Sequence, residues 1–142
     1  MCSSDLVTGG GTGLGKAMAV EFARLGAAVA VASRDAAHRE AGIAAVEAAG
    51  GCAAGIELDV RDPDSIARAF DAAESALGPV SVLVNNAAGN FPVAAADLSP
   101  KGWRAVVDIV LNGTFYASHE FASRRIALDA PGAILNIGAA YA

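Results

Sequence analysis

The stretch Thr8-Gly9-Gly10-Gly11-Thr12-Gly13-Leu14-Gly15 packs five glycines into eight residues. It follows the short apolar pair Leu6–Val7 and precedes apolar residues at helical spacing, Leu14, Met18, Phe22 and Leu25. A glycine cluster between a strand and a helix lets backbone N–H groups approach a pyrophosphate, and the helix N-terminus adds its partial positive charge. That placement makes the loop specific, because a glycine-rich loop alone is weak. A GxxxxGK loop with Ser or Thr next is the competing reading. Gly10 to Gly15 and Lys16 meet its first part, but Ala17 stands where the magnesium-binding hydroxyl belongs, which disfavours triphosphate hydrolysis.

The rest of the chain alternates short apolar runs with helical stretches. Gly26 closes a first helix, Leu14 to Leu25, and Ala28 to Ala32 is a buried strand. Asp35 to Ala49 is helical and closed by Gly50–Gly51, and Ala53 to Leu58 is the third strand. Asp62 caps a helix with Pro63 at its first position, running to Leu77 and broken by Gly78–Pro79. Val80 to Val84 is the fourth strand, followed by a polar glycine turn, Asn85 to Asn90. Ser99–Pro100 opens a long helix towards Ile126, and Ala133 to Ile137 is the fifth strand. The order βαβαβαβαβ requires a parallel sheet covered on both faces, a doubly wound α/β fold. The expected unit is the N-terminal part of a single domain, residues 6–142, with strands one to five only.

Met1 to Asp5 is polar, shows no period, and back-translates into a run resembling a sequencing adapter; it reads as a non-native leader outside the fold. The chain stops at Ala142 just after the fifth strand, with no cap, so it reads as truncated at both ends and is expected to be inactive alone.

Composition narrows the function. With 54% hydrophobic and 18% charged residues and a mean hydropathy of +0.44, the chain can bury enough surface to order itself. A net charge of −5 and 6% aromatic residues disfavour nucleic acid, and charges interrupt every apolar run before membrane-spanning length. Cys2 and Cys52 form no framework or CxxC motif, which favours a reducing compartment. His38 and His119 lie too far apart for a zinc site.

TGGGTGLG is similar to the TGxxxGxG loop of the short-chain dehydrogenase/reductase family, whose domain is of the Rossmann type. Asp59-Val60 resembles the family's adenine-contacting pair, and Asn85-Asn86-Ala87-Ala88-Gly89 its NNAG turn. The resemblance covers nearly all of Leu6 to Ala142. It implies cofactor contacts at Gly9, Gly10, Gly11, Thr12, Gly13, Leu14, Gly15, Ser33, Arg34, Asp59, Val60, Asn86 and Ala87. The second strand ends Ala32-Ser33-Arg34, with no acid to repel a 2′-phosphate and an arginine to pair with one. NADP(H) is therefore the expected cofactor, with Asp35 read as the helix cap.

The commonest branch of the family uses a serine after strand five and a YxxxK motif. Here Gly138 and Ala139 occupy the serine position, and Lys16 and Lys101 stand at two earlier helices. The usual asparagine position of helix four is Val110, with Asn112 out of register. Asn85 to Phe91, Asp108 to Gly113 and Ile137 to Ala142 instead resemble the mitochondrial-type 2,4-dienoyl-CoA reductases. In that branch the tyrosine follows strand five directly, which Tyr141 matches, and Asn90 matches an asparagine bonded to the thioester oxygen. Arg34, Arg61, Phe91 and Ser99 match positions facing the acyl-CoA.

Hydride addition to a dienoyl thioester moves charge to the thioester oxygen, where the Tyr141 hydroxyl and Asn90 amide would stabilise it. Protonation at carbon then yields a 3-enoyl thioester, as in fatty-acid β-oxidation. Two other readings stand beside this one. A family member acting on a ketone or alcohol would carry YxxxK downstream, and an NADP(H) sensor would need no tyrosine at the nicotinamide. Phe115, Tyr116 and Phe121 are expected in the core or a subunit interface, Trp103 packed at a helix start, and Arg124-Arg125 at a solvated helix end. The resemblance implies an acyl-CoA partner, a homo-oligomer (a tetramer), and neither nucleic acid nor membrane. The expected compartment is a bacterial cytoplasm, with a mitochondrion or peroxisome left open.

Overall fold

Strands that are apolar on both faces need cover on both sides. The computed structural model describes residues 3–90 and 92–138 of the chain. Strands β1 (Ser4–Thr8), β2 (Ala28–Ser33), β3 (Cys52–Glu57), β4 (Val80–Asn85) and β5 (Ala133–Asn136) form one parallel sheet in the order β3-β2-β1-β4-β5. Helices α1 (Gly13–Arg24), α2 (Ala36–Ala48) and α3 (Pro63–Leu77) make the first three crossovers. Helices α4 (Pro100–Val107) and α5 (Gly113–Ala127) lead from β4 to β5. This is the doubly wound parallel sheet expected from the sequence. Among the described residues no helix is long and apolar enough to cross a membrane.

Alternation along the strands divides the core. Val7, Val29, Val31 and Val84 pack with Ala19 and Ala23 of α1 and Val46 of α2. Leu6, Ala30, Ala32 and Leu83 face the other way, onto Ile66 and Phe70 of α3 and Ala117 and Phe121 of α5. The seam of α1 differs from the expected stripe: Gly15, Ala19 and Ala23 are buried, whereas Leu14 and Leu25 are 58% and 85% exposed. Small residues at the seam let a helix approach its strand closely.

The strand β1 starts at Ser4, which corrects the expectation that everything up to Asp5 lies outside the fold. Ser4 and Asp5 pair with Ala28 and Val29 on one side and with Val80 and Val82 on the other. A central strand must pair its backbone on both sides, whatever its side chains. The polar side chains fit poorly: Ser4 Oγ and Asp5 Oδ1 are buried with no hydrogen-bond partner among the described residues. Burial raises the Asp5 carboxyl above its ordinary range, and a Ser3 hydrogen bond offsets only part of this.

Asp35, Asp62 and Ser99 cap α2, α3 and α4, accepting from the backbone N–H of His38, Asp64 and Gly102. The long helix expected from Ser99–Pro100 is interrupted by a π-helical turn, Asp108–Asn112. Asn112 Nδ2 donates to Asp108 Oδ1 and Thr114 Oγ1 to the Val110 carbonyl there. Such a turn takes in an extra residue and changes the helix phase. Beyond it Gly113, Ala117 and Phe121 are buried, whereas α4 buries none of its residues. Trp103 is 59% exposed rather than packed, and Phe115 is 63% exposed.

Arg124-Arg125 is not a solvated helix end. Arg124 reaches Asp71 at 2.7 Å and Glu74 at 2.8 Å on α3, and Glu120 at 2.7 Å on its own helix. Its guanidinium lies 5.5 Å from the centre of the Phe70 ring. Burial alone would lower its pKa, but the hydrogen bonds it donates to Glu120, Asp71 and Glu74 outweigh that and raise it. Arg125 donates to the carbonyls of Pro131 and Val80, tying the approach to β5 onto the start of β4.

Candidate functional site

From β1 the chain proceeds to β2 and β3 on one side of the sheet, and from β4 to β5 on the other. The loops leaving β1 and β4 therefore diverge, and ligands of open α/β sheets bind in the crevice so formed. A cavity of about 390 Å³ lies there. Gly9, Gly11, Thr12, Gly13, Leu14 and Gly15 line it from the β1 loop. Ser33 and Arg34 line it after β2, Asp59 and Val60 after β3, and Asn86 and Ala87 after β4. Gly10 is the one expected contact outside this lining; it sits behind the loop against Val7 and donates its N–H to the Ala32 carbonyl.

The loop needs its glycines for two reasons. Gly9 and Gly13 hold φ of +66° and +50°, which side chains disfavour. At Gly15 a Cβ would collide with the Gly9 carbonyl and Asn86 Nδ2, and at Gly11 with the His38 carbonyl. The result is a cradle of bare backbone before α1, which fits a dinucleotide pyrophosphate.

A hydroxyl at the end of β1 locks the two diverging loops together. Thr8 Oγ1 donates to the Val84 carbonyl and accepts from the N–H groups of Asn86 and Ala87 at 3.0 and 2.9 Å. Asn86 Nδ2 donates back to the carbonyls of Thr8 and Gly9. Deeper, Asn85 Nδ2 donates to Ser118 Oγ at 2.9 Å and to Asn136 Oδ1 at 2.8 Å, joining β4, α5 and β5. The resemblance singled out Asn85 and Asn86 but left these partners unnamed, since nothing local in sequence links Thr8 to Asn86.

On the β2 side, Arg39 donates to the carbonyls of Ser33 and Arg34 at 2.7 and 3.0 Å. Arg39 thereby ties α2 to the end of β2. Asp35 caps α2 as expected, and the His38 N–H it accepts holds its carboxyl below the usual range. Arg61 pairs with Asp59 at 2.9 Å, which lowers the Asp59 carboxyl and raises the guanidinium.

His38, Ala88 and Ile109 also line the cavity and had not been expected there. Ile109 belongs to the π-helical turn, and its side chain would meet a Cβ on Gly89. Only the helix phase could have revealed it. Of the residues expected at the acyl-CoA, Arg34 lines the cavity. Arg61, Asn90 and Ser99 lie outside its lining, with Ser99 capping α4. Tyr141, Phe91 and Ala139 lie outside the described residues.

The family model described as short chain dehydrogenase matches residues 5–142. An uncharacterized oxidoreductase of Caenorhabditis elegans is 45% identical over 139 residues, covering 96% of this chain and 44% of that protein. A probable 2,4-dienoyl-CoA reductase of Bacillus subtilis, named as (2E)-enoyl-CoA-producing, is 41% identical over 137 residues, 96% of this chain and 54% of its own length. Probable 2,4-dienoyl-CoA reductase 3 of Caenorhabditis elegans, named as (3E)-enoyl-CoA-producing, is 41% identical over 139 residues, 96% of this chain and 45% of its own. A crystal structure of a short chain dehydrogenase from Bacillus anthracis matches with a TM-score of 0.89 at 38% identity, covering 94% of this chain and 56% of that one. The chain thus spans about half the length of the curated relatives it matches.

Proposed function

Because the chain belongs to the short-chain dehydrogenase family, whose members are oxidoreductases using nicotinamide cofactors, we propose that it is part of an NADPH-dependent reductase of 2,4-dienoyl-CoA thioesters. The observation that carries the cofactor is the rim after β2. Ser33 and Arg34 face the cavity there, while the nearby acid, Asp35, is occupied as the cap of α2. Support for the substrate comes from the NNAAGNF turn and from the names of relatives such as those of Bacillus subtilis and Caenorhabditis elegans.

A bound dinucleotide would supply the hydride. The glycine loop would hold its pyrophosphate against the N-terminus of α1, and Thr8 and Asn86 keep the two sides of the crevice in register. Asn90 stands at the end of the turn after β4, where its amide would donate to the thioester oxygen together with the Tyr141 hydroxyl. Both act on charge that develops only as hydride reaches the far carbon of the diene. Phe91, Ser99 and Arg61 would bound the acyl-CoA. Protonation next to the thioester carbonyl gives the 3-enoyl product, and protonation two carbons further gives the 2-enoyl product, the two outcomes named among the relatives. The exposed apolar residues Trp103, Val110, Leu111 and Phe115, on α4, the π turn and α5, suit a subunit face of a homo-oligomer.

The test is single-turnover oxidation of NADPH by a 2,4-dienoyl thioester in the complete protein, with the product double bond located by NMR. Tyr141→Phe is expected to slow turnover by ~10²–10³, the cost of one oxyanion donor. A Tyr141→Phe rate within about threefold of the parent, the scale of an ordinary surface change, would assign the protein to the ketone- and alcohol-reducing branch.

A further inference from the structure

The buried residues of α2 are Gly42 and Val46. Val46 packs as an ordinary core residue with Val7, Val29 and Val31. Gly42 needs another reason, because glycine inside a helix is less favourable than alanine. Its backbone is helical, so a side chain would meet no conformational strain there. Space decides instead. A Cβ at Gly42 would lie 2.6 Å from Val31 Cγ1, 3.0 Å from the Gly10 carbonyl oxygen and 3.1 Å from Gly11 Cα. Val31 is fully buried on β2 and cannot swing aside. The other two atoms are backbone of the glycine loop.

The contact is equally tight from the loop side. A Cβ at Gly11 would lie 2.1 Å from the carbonyl oxygen of His38, one turn before Gly42. Loop and helix thus meet backbone to backbone, glycine towards glycine. At its stem the loop is held by the N–H groups of Gly9 and Gly10, which donate to the Ala32 carbonyl at 2.8 and 3.3 Å. Its other face lines the dinucleotide cavity through Gly9, Gly11 and Gly13. The helix α2 is therefore the back wall of the loop, and Gly42 does its work from outside the cavity lining.

We infer that Gly42 is a positioning residue for dinucleotide binding: its missing side chain lets α2 back the glycine loop and so fixes where the loop stands in the cavity. This rests on the dinucleotide reading of the cavity but not on the choice between NADPH and NADH. A methyl group at position 42 either pushes the loop into the cavity or lifts α2 off it. In both cases the backbone cradle leaves the place matched to a pyrophosphate, while every residue lining the cavity keeps its identity.

The experiment measures the dissociation constants of NADPH and NADH by cofactor fluorescence and of ADP-ribose by calorimetry, with thermal melts, in the complete protein. Gly42→Ala is expected to weaken all three ligands about tenfold, the scale of one hydrogen bond to a charged group. ADP-ribose falls with the others because it keeps the pyrophosphate and lacks the nicotinamide. Val46→Ala is the control: it empties space beside the same helix and lowers Tm, yet leaves the three constants within about twofold. A third chain carries Gly42→Ala with Val31→Ala, which removes the 2.6 Å contact and folds even where Gly42→Ala alone does not. Against Val31→Ala it still shows the tenfold loss, because the contacts with Gly10 and Gly11 remain. If Gly42→Ala changes no constant, if Val46→Ala weakens the ligands equally, or if ADP-ribose is spared, Gly42 is packing alone and the dinucleotide reading stands. If the unaltered protein binds none of the three, the dinucleotide reading falls, and the role of Gly42 with it.

Discussion

Replacing Asp5 by Val should stabilise this fold, and the structure sets the size and pH dependence of the gain. Asp5 lies in the central strand with 4% of its surface exposed, paired with Val29 on β2 and Val82 on β4. Those neighbours belong to the apolar layer under α1. Oδ1 has no hydrogen-bond partner among the described residues, and burial raises the carboxyl above 3.8. Leaving such a group unsatisfied costs about 1–3 kcal/mol, and Val is a close steric match with a better strand propensity. For a chain of this size that corresponds to a rise in Tm of roughly 3–10 °C.

The sign with pH follows from linkage. A carboxyl raised in the folded state binds its proton more tightly there, so the contribution of Asp5 is most favourable below 3.8 and is lost as the pH rises through the raised value. The variant lacks that loss. The gain should be largest at pH 7 and should shrink towards pH 4. Urea and thermal melts of parent and variant at both pH values decide the matter. A variant no more stable than the parent at pH 7, or a gain of equal size at both, would refute the reasoning.

Two further perturbations probe the site and the packing around it. Gly15→Ala puts a methyl group into the Gly9 carbonyl and Asn86 Nδ2, so dinucleotide affinity should fall at least about tenfold and stability by about 1–3 kcal/mol. An unaltered dissociation constant would show that the loop does not approach the ligand as drawn. Arg124→Met strands Asp71, Glu74 and Glu120 together; with the guanidinium 22% exposed, the loss should be about 1–3 kcal/mol rather than that of a fully buried pair. Urea melts showing a loss under about 0.5 kcal/mol would make the cluster an ordinary surface feature.

Much of the site was legible in the sequence because its parts are local. Five glycines before a helical stripe, an Asp or Ser before a helix, and an NNAAG turn after an apolar run each act within a few residues. Period and capping chemistry therefore located the strands to within a residue or two, apart from β1. The residues missed act across the sheet. Thr8 meets Asn86, Arg124 meets Asp71, and Asn85 meets Asn136 only once the strands have their spatial order.

The chain by itself determined the alternation of strand and helix, and with the handedness of crossovers a doubly wound parallel sheet; the strand order β3-β2-β1-β4-β5 belongs to the tertiary structure. The chain determined too that bare backbone would lie at the start of α1. The tertiary structure alone decided that Ser4 and Asp5 extend β1, since pairing with both neighbours outweighs polar side chains a propensity argument would exclude. It decided that α1 turns Gly15, Ala19 and Ala23 to the sheet, because close approach rewards small residues over a larger apolar stripe. It also decided that a π-helical turn brings Ile109 to the cavity, and that His38 stands on its rim. Helix phase and rim position depend on how elements settle against each other, and no local window of sequence records that.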